Sequence, residues 1–157
     1  MWCSKQNDGI FFTEVGLIDL PEVAKTILEH AQHPVNLLEA PMGSGKTTLC
    51  NALLAEWGSE DAGSSPTFAL LEEHRGPLGV FHHLDAYRLE SEEEAYDFGL
   101  EEYLDGNEPV WIEWGSKVAG LLPPRLGVVY LEPQENGLRN ITFYPDKTNV
   151  QIEWHHE

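Results

Sequence analysis

The chain has 157 residues, 41% of them hydrophobic, which is enough for the core of one compact domain and too many for an intrinsically disordered chain. Acidic side chains number 27 against nine basic ones, a net charge of −18, which excludes unaided binding to a nucleic-acid backbone and argues against an anionic membrane surface. No apolar run approaches the roughly 20 residues of a spanning helix. The first eight residues carry no secretory or transit pattern, and Cys3 and Cys50 have no disulfide or zinc spacing, so a soluble protein of a reducing cytoplasm is expected.

Residues 1–10 read as a loosely ordered tail, with an extended segment around Gly9 to Leu17. A helix is predicted from Asp19 or Leu20 to His30, because Pro21 suits a first turn and Val23, Ile27 and His30 recur at helical spacing. Val35 to Ala40 is a short buried strand. Lys46 to Trp57 is a helix with an apolar stripe of Leu49 or Cys50, Leu53 and Trp57, stopped by Gly58, which accepts the left-handed conformation.

Thr67 to Glu73 and Gly79 to Asp85 have strand composition and pair across the turn signal Arg75-Gly-Pro. Ser91-Glu-Glu-Glu94 is a capping box opening a helix that ends at Gly99, followed by a further turn at Glu101 to Leu104. The strand Val110 to Trp114, a short helix at Lys117 to Leu121, and strands at Gly127 to Glu132 and Leu138 to Tyr144 complete the order, with 150–157 a loose tail. His82 and His83 are adjacent on a strand and point to opposite faces, one to the core and one to solvent, so they cannot chelate one ion. Cys50 reads as a small core side chain. The expectation is one α/β domain with the layered P-loop NTPase-like fold: a mostly parallel central sheet, helices on both faces, and an antiparallel hairpin or edge.

The sharpest signal is Ala40-Pro-Met-Gly-Ser-Gly-Lys46-Thr47, the P-loop pattern with Ala40 in place of its first glycine. Backbone N–H groups must turn inward around a phosphate, and Gly43 and Gly45 remove the side chains that would prevent it. Met42, Gly43, Ser44, Gly45, Lys46, Thr47 and Thr48 are therefore candidate nucleotide-binding residues. Lys46 supplies a charge to the β- and γ-phosphates, and Thr47 supplies a hydroxyl to Mg²⁺ at a positive helix end. Asp85 and Glu113 each close an apolar run, where a carboxylate needs a cleft or a metal, and are candidate metal-ordering acids.

Beyond the P-loop, Ser64-Ser-Pro-Thr-Phe68, His83-Leu-Asp-Ala-Tyr-Arg-Leu89, Phe98-Gly-Leu-Glu-Glu-Tyr-Leu104 and Ile112-Glu-Trp114 follow in order. In this the chain resembles the bacterial threonylcarbamoyladenosine biosynthesis ATPases called TsaE, over about Val35 to Leu122. The resemblance implies a P-loop ATPase that binds ATP or ADP with Mg²⁺. It would serve the transfer of a threonylcarbamoyl group to the adenosine next to the tRNA anticodon, through transferase partners of the TsaD and TsaB type, with tRNA met only indirectly. It further implies a switch-loop role for Thr67, a Walker B-like role for Asp85, and a metal or water-positioning role for Glu113. Trp114 would lie near the nucleotide, and Arg139 would approach it. Pro41-Met42 stands where the family usually has Asp-Leu, and the first 34 or so residues match no motif.

A small-molecule P-loop kinase is the main competitor, but kinases clamp the transferred phosphoryl group with several arginines. Only Arg75, Arg88, Arg125 and Arg139 are available, with no Arg-rich lid. A nucleotide-dependent interaction module with negligible turnover is the other alternative.

Overall fold

The computed structural model describes residues 1–41, 43–59 and 71–154. Eight strands form one sheet in the order β1-β2-β8-β7-β3-β6-β5-β4. They are β1 (Trp2–Gln6), β2 (Gly9–Val15), β3 (Val35–Glu39), β4 (Leu71–Gly76), β5 (Gly79–Asp85), β6 (Val110–Glu113), β7 (Arg125–Pro133) and β8 (Arg139–Thr148). The middle four, β7, β3, β6 and β5, run parallel, and antiparallel strands extend the sheet on both sides. Antiparallel pairing thus goes well beyond the single hairpin or edge expected.

The helices α1 (Leu20–His30), α2 (Lys46–Trp57), α3 (Glu92–Asp97) and α4 (Leu100–Leu104) fall at the predicted places. Gly58, at φ 87°, closes α2 by donating to Ala55 and Leu54, and Gly99, at φ 86°, separates α3 from α4, both left-handed positions that a side chain would strain. The Ser91 hydroxyl accepts from the Glu94 N–H at 3.2 Å, as the capping box requires. The return bond differs: the Glu94 carboxylate accepts from the Glu90 N–H at 3.1 Å, one residue before the cap.

Because successive strand residues face opposite sides, each strand feeds two cores. Leu38, Trp111 and Val129 join Val23 and Ile27 of α1 and Leu49, Cys50 and Leu53 of α2 on one face. Leu37, Ile112 and Val128 join Ala95, Leu100, Leu104 and Val118 on the other. Each fully buried Leu, Ile or Val among them contributes roughly 1.5–3 kcal/mol. None of the helices is long and apolar enough to cross a membrane among the described residues.

Both expected tails need correction. Trp2 to Gln6 pairs antiparallel with Gly9 to Thr13 around a turn in which Asn7 takes φ 52°. All five β1 residues are exposed, so backbone hydrogen bonds, with no apolar pattern to betray them, hold the strand in place. At the other end, Ile152 is buried, the Glu153 N–H donates to the Tyr130 hydroxyl at 2.9 Å, and the Trp154 ring lies against Gly115. His155 and His156 lie outside the described residues.

Candidate active site

Ligands in parallel α/β sheets collect beyond the carboxyl ends of the strands, at the point where the chain changes direction across the sheet. Here that strand is β3, with β6 on one side and β7 on the other. Its carboxyl end runs into the phosphate loop. Gly43 at φ 77° and Gly45 at φ 96° are left-handed. The Ser44 N–H donates to the Pro41 carbonyl at 3.2 Å, and the Ser44 hydroxyl donates to the same oxygen. Gly45 caps α2, whose first N–H groups therefore point out of the helix as an anion site.

A pocket of about 300 Å³ opens there, lined by Gly43, Gly45, Lys46, Thr47, Asp85, Tyr87, Glu113 and Trp114. Seven positions that the sequence assigns to nucleotide or metal reach this pocket: six are local to the loop or to strand ends, and the seventh, Trp114, follows Glu113 directly. Ser44 instead braces the loop from within, at 5% exposure, and Thr48 is exposed on α2 away from the lining. Met42 and Thr67 lie outside the described residues.

Lys46 is 9% exposed, and its Nζ sits 4.6 Å from the centre of the Trp114 ring, a cation–π contact that holds the ammonium at the pocket wall. Trp114 adopts φ 61°, a left-handed conformation costly for a bulky residue. Tyr87 completes the aromatic side of the wall, its ring 4.9 Å from that of Trp114. Tyr87 was not foreseen as a site residue, although its place two residues after Asp85 was the available signal.

The two acids come together through the sheet register, in which Asp85 of β5 is the partner of Glu113 of β6. Asp85 is exposed, and its Oδ1 accepts from the Tyr87 N–H at 3.1 Å. Glu113 is 5% exposed, and its Oε2 accepts from His83 Nε2 at 2.6 Å. The two-residue period of a strand puts His83 on the same face as Asp85, so the expectation that one of the His82-His83 pair faces solvent is wrong: His82 is buried against Tyr103, and His83 is turned inward to Glu113. Burial by itself would lower the His83 imidazole, but hydrogen bonds with the Cys50 sulfur and the Glu113 carboxylate outweigh it and raise it from 6.5 to about 10.

The donor set suits Mg²⁺. The Thr47 hydroxyl and the Asp85 and Glu113 carboxylates are hard oxygen donors on one pocket, and among the described residues no three His, Cys, Asp or Glu side chains close a metal cage. An open, partial oxygen set is what an ion that keeps its waters and shares phosphate oxygens requires. The site also fits an anion. Arg139, the first residue of β8, packs so tightly on the loop that a Cβ at Gly45 would collide with its guanidinium, and its Nη1 is buried without a hydrogen-bond partner among the described residues. It stands beside the loop and is not among the residues lining the pocket.

The fold is similar to that of the crystal structure of Bacillus subtilis YdiB, with a TM-score of 0.67 over 89% of this chain and 87% of that one, at 24% identity. Proteins named tRNA threonylcarbamoyladenosine biosynthesis protein TsaE are similar in sequence. The one from Rickettsia bellii is 40% identical over 109 residues, covering 68% of this chain and 75% of that protein. The one from Rickettsia conorii is 39% identical over 104 residues, and the matched region spans only 59% of its length against 66% of this chain. The one from Bacillus subtilis is 32% identical over 106 residues, 68% of this chain and 66% of its own. The family model described as threonylcarbamoyl adenosine biosynthesis protein TsaE matches residues 17–141, from just before α1 through the phosphate loop and both acids to the first residues of β8. The chain belongs to the TsaE family.

Proposed function

We propose that this protein is a Mg²⁺-dependent ATPase of tRNA threonylcarbamoyladenosine biosynthesis, working in the cytoplasm through transferase partners of the TsaD and TsaB type and reaching tRNA only through them. The observation that carries the nucleotide half is the convergence of the phosphate loop, Lys46, Thr47, Asp85 and Glu113 on one pocket. The tRNA half rests on family membership, and the net charge of −18 supports an indirect route to tRNA.

In this reading the outward N–H groups of the loop and of the first turn of α2 bind the phosphates, and Lys46 moves its charge from the Trp114 ring to the β- and γ-phosphate oxygens. Thr47, Asp85 and Glu113 would hold Mg²⁺, which supplies charge neutralisation at the phosphoryl group. Glu113, buried at the wall, orients the attacking water and accepts its hydrogen bond. Trp114 and Tyr87 shield this end of the pocket from bulk solvent.

Hydrolysis by Asp85→Asn and Glu113→Gln tests the chemistry. Both variants are expected to lose turnover while ADP affinity, measured by calorimetry, changes little. A parental rate in either variant removes that residue's role. Recovery of threonylcarbamoyl transferase subunits from cell extract with nucleotide present tests the partnership, and failure to recover them in both nucleotide states overturns it.

A further inference from the structure

His83 is not among the residues lining the pocket, yet its Nε2 donates to Glu113, which is. In the parallel register His83 is the partner of Trp111, and Glu113 lies two residues farther along β6, so both side chains leave the same face of the sheet. The Glu113 side chain reaches diagonally back to the imidazole, and the 2.6 Å contact is short, as expected of a charge-assisted bond out of bulk water. The side chains of His83 and Glu113 are 13% and 7% exposed, so few other rotamers are open to either.

A glutamate has three rotatable side-chain bonds, and a carboxylate that must orient a water or a metal acts only in the right rotamer. We infer that His83 is a positioning residue for the reaction, fixing the Glu113 carboxylate through the Nε2 to Oε2 hydrogen bond. The role does not depend on the charge of the imidazole, since Nε2 carries a proton both in the cation and in the tautomer that donates to Glu113. Groups that hold a reacting carboxylate or metal ligand from behind typically change activity by about 10- to 100-fold when removed. The inference rests on the ATPase reading above.

The test compares His83→Phe, which keeps a ring of similar size without a donor, with His83→Gln, whose side-chain amide can place a donor near the Nε2 position. Single-turnover ATP hydrolysis and ADP affinity are measured on both, on the parent, on Glu113→Gln and on the His83→Phe, Glu113→Gln double variant. His83→Phe is expected to lower the hydrolysis rate roughly 10- to 100-fold with ADP affinity within about twofold, and His83→Gln to recover most of the rate. The double variant is expected to be no slower than Glu113→Gln alone, because the positioning residue has nothing left to position. A parental rate in His83→Phe, an equal loss in folded His83→Gln, or additive losses in the double variant overturns the inference while leaving the ATPase reading intact. A parent without turnover, or one no faster than Glu113→Gln, overturns the role of Glu113 and this inference with it.

Discussion

The parallel centre of the sheet and the inner strands β2 and β8 of the antiparallel wing both bury apolar side chains, yet the centre supplies most of the site. Gly43 to Thr47 follow β3, Asp85 and Tyr87 end or follow β5, and Glu113 and Trp114 end or follow β6. Parallel strands deliver all their carboxyl ends, and the loops that leave them, to one edge. In the wing the direction alternates, so β8 meets that edge with its first residue, and Arg139 is the wing side chain packed against Gly45 of the phosphate loop. Ile10 and Phe12 of β2 and Ile141 and Phe143 of β8 spend their burial on the core alone. A sheet that mixes directions thus separates chemistry from support.

The largest effect that would test this division is in the wing. Phe12→Ala removes a 1% exposed ring and is expected to cost roughly 3–5 kcal/mol in urea unfolding. Below its melting temperature the variant should bind nucleotide within about twofold of the parent, because Phe12 is not among the residues lining the pocket. A large affinity loss in the folded variant would break the separation.

Lys46→Ala is the converse, expected to weaken ATP binding roughly 10- to 100-fold by calorimetry, as loss of one charged hydrogen bond predicts, with little change in the melting temperature without nucleotide. Arg139→Ala sharpens the boundary between the regions. Its buried Nη1 has no partner among the described residues, so the variant should lose little stability alone but show about a tenfold weaker nucleotide affinity and a smaller nucleotide-induced rise in melting temperature. An unchanged affinity with a lowered melting temperature would return Arg139 to the supporting wing.

The smallest effect concerns pH. Asp146 of β8 accepts from both Arg125 Nε at 2.7 Å and Nη2 at 2.6 Å and pairs with His33 at 2.8 Å. The Arg125 bonds, and then His33, hold its carboxyl well below the usual carboxylate range. A depressed folded-state value means that the unfolded chain binds the proton more readily, so this stabilisation is complete above the ordinary value of about 3.9 and fades as the pH falls below it. Arg125→Ala should therefore lower the melting temperature slightly at pH 7, and this difference should shrink progressively as the pH is lowered toward 2. The solvent exposure of the pair keeps the effect small.

The sequence by itself determined what is local. The boundaries of α2, its left-handed glycine stop at Gly58, the Ser91 cap and the glycines of the phosphate loop each depend on residues within a few positions of one another, and all are in place. The apolar runs into Asp85 and Glu113 likewise singled out two acids. Their facing one another across β5 and β6, 28 positions apart, was decided by strand register, which no local pattern encodes. The same holds for His83 against Glu113, for Arg139 against Gly45, and for β2 pairing with β8 across most of the chain. The exposed β1 carried no apolar periodicity to read, because its ladder hydrogen bonds are made by the backbone, and backbone groups are the same at every position until a partner strand selects them.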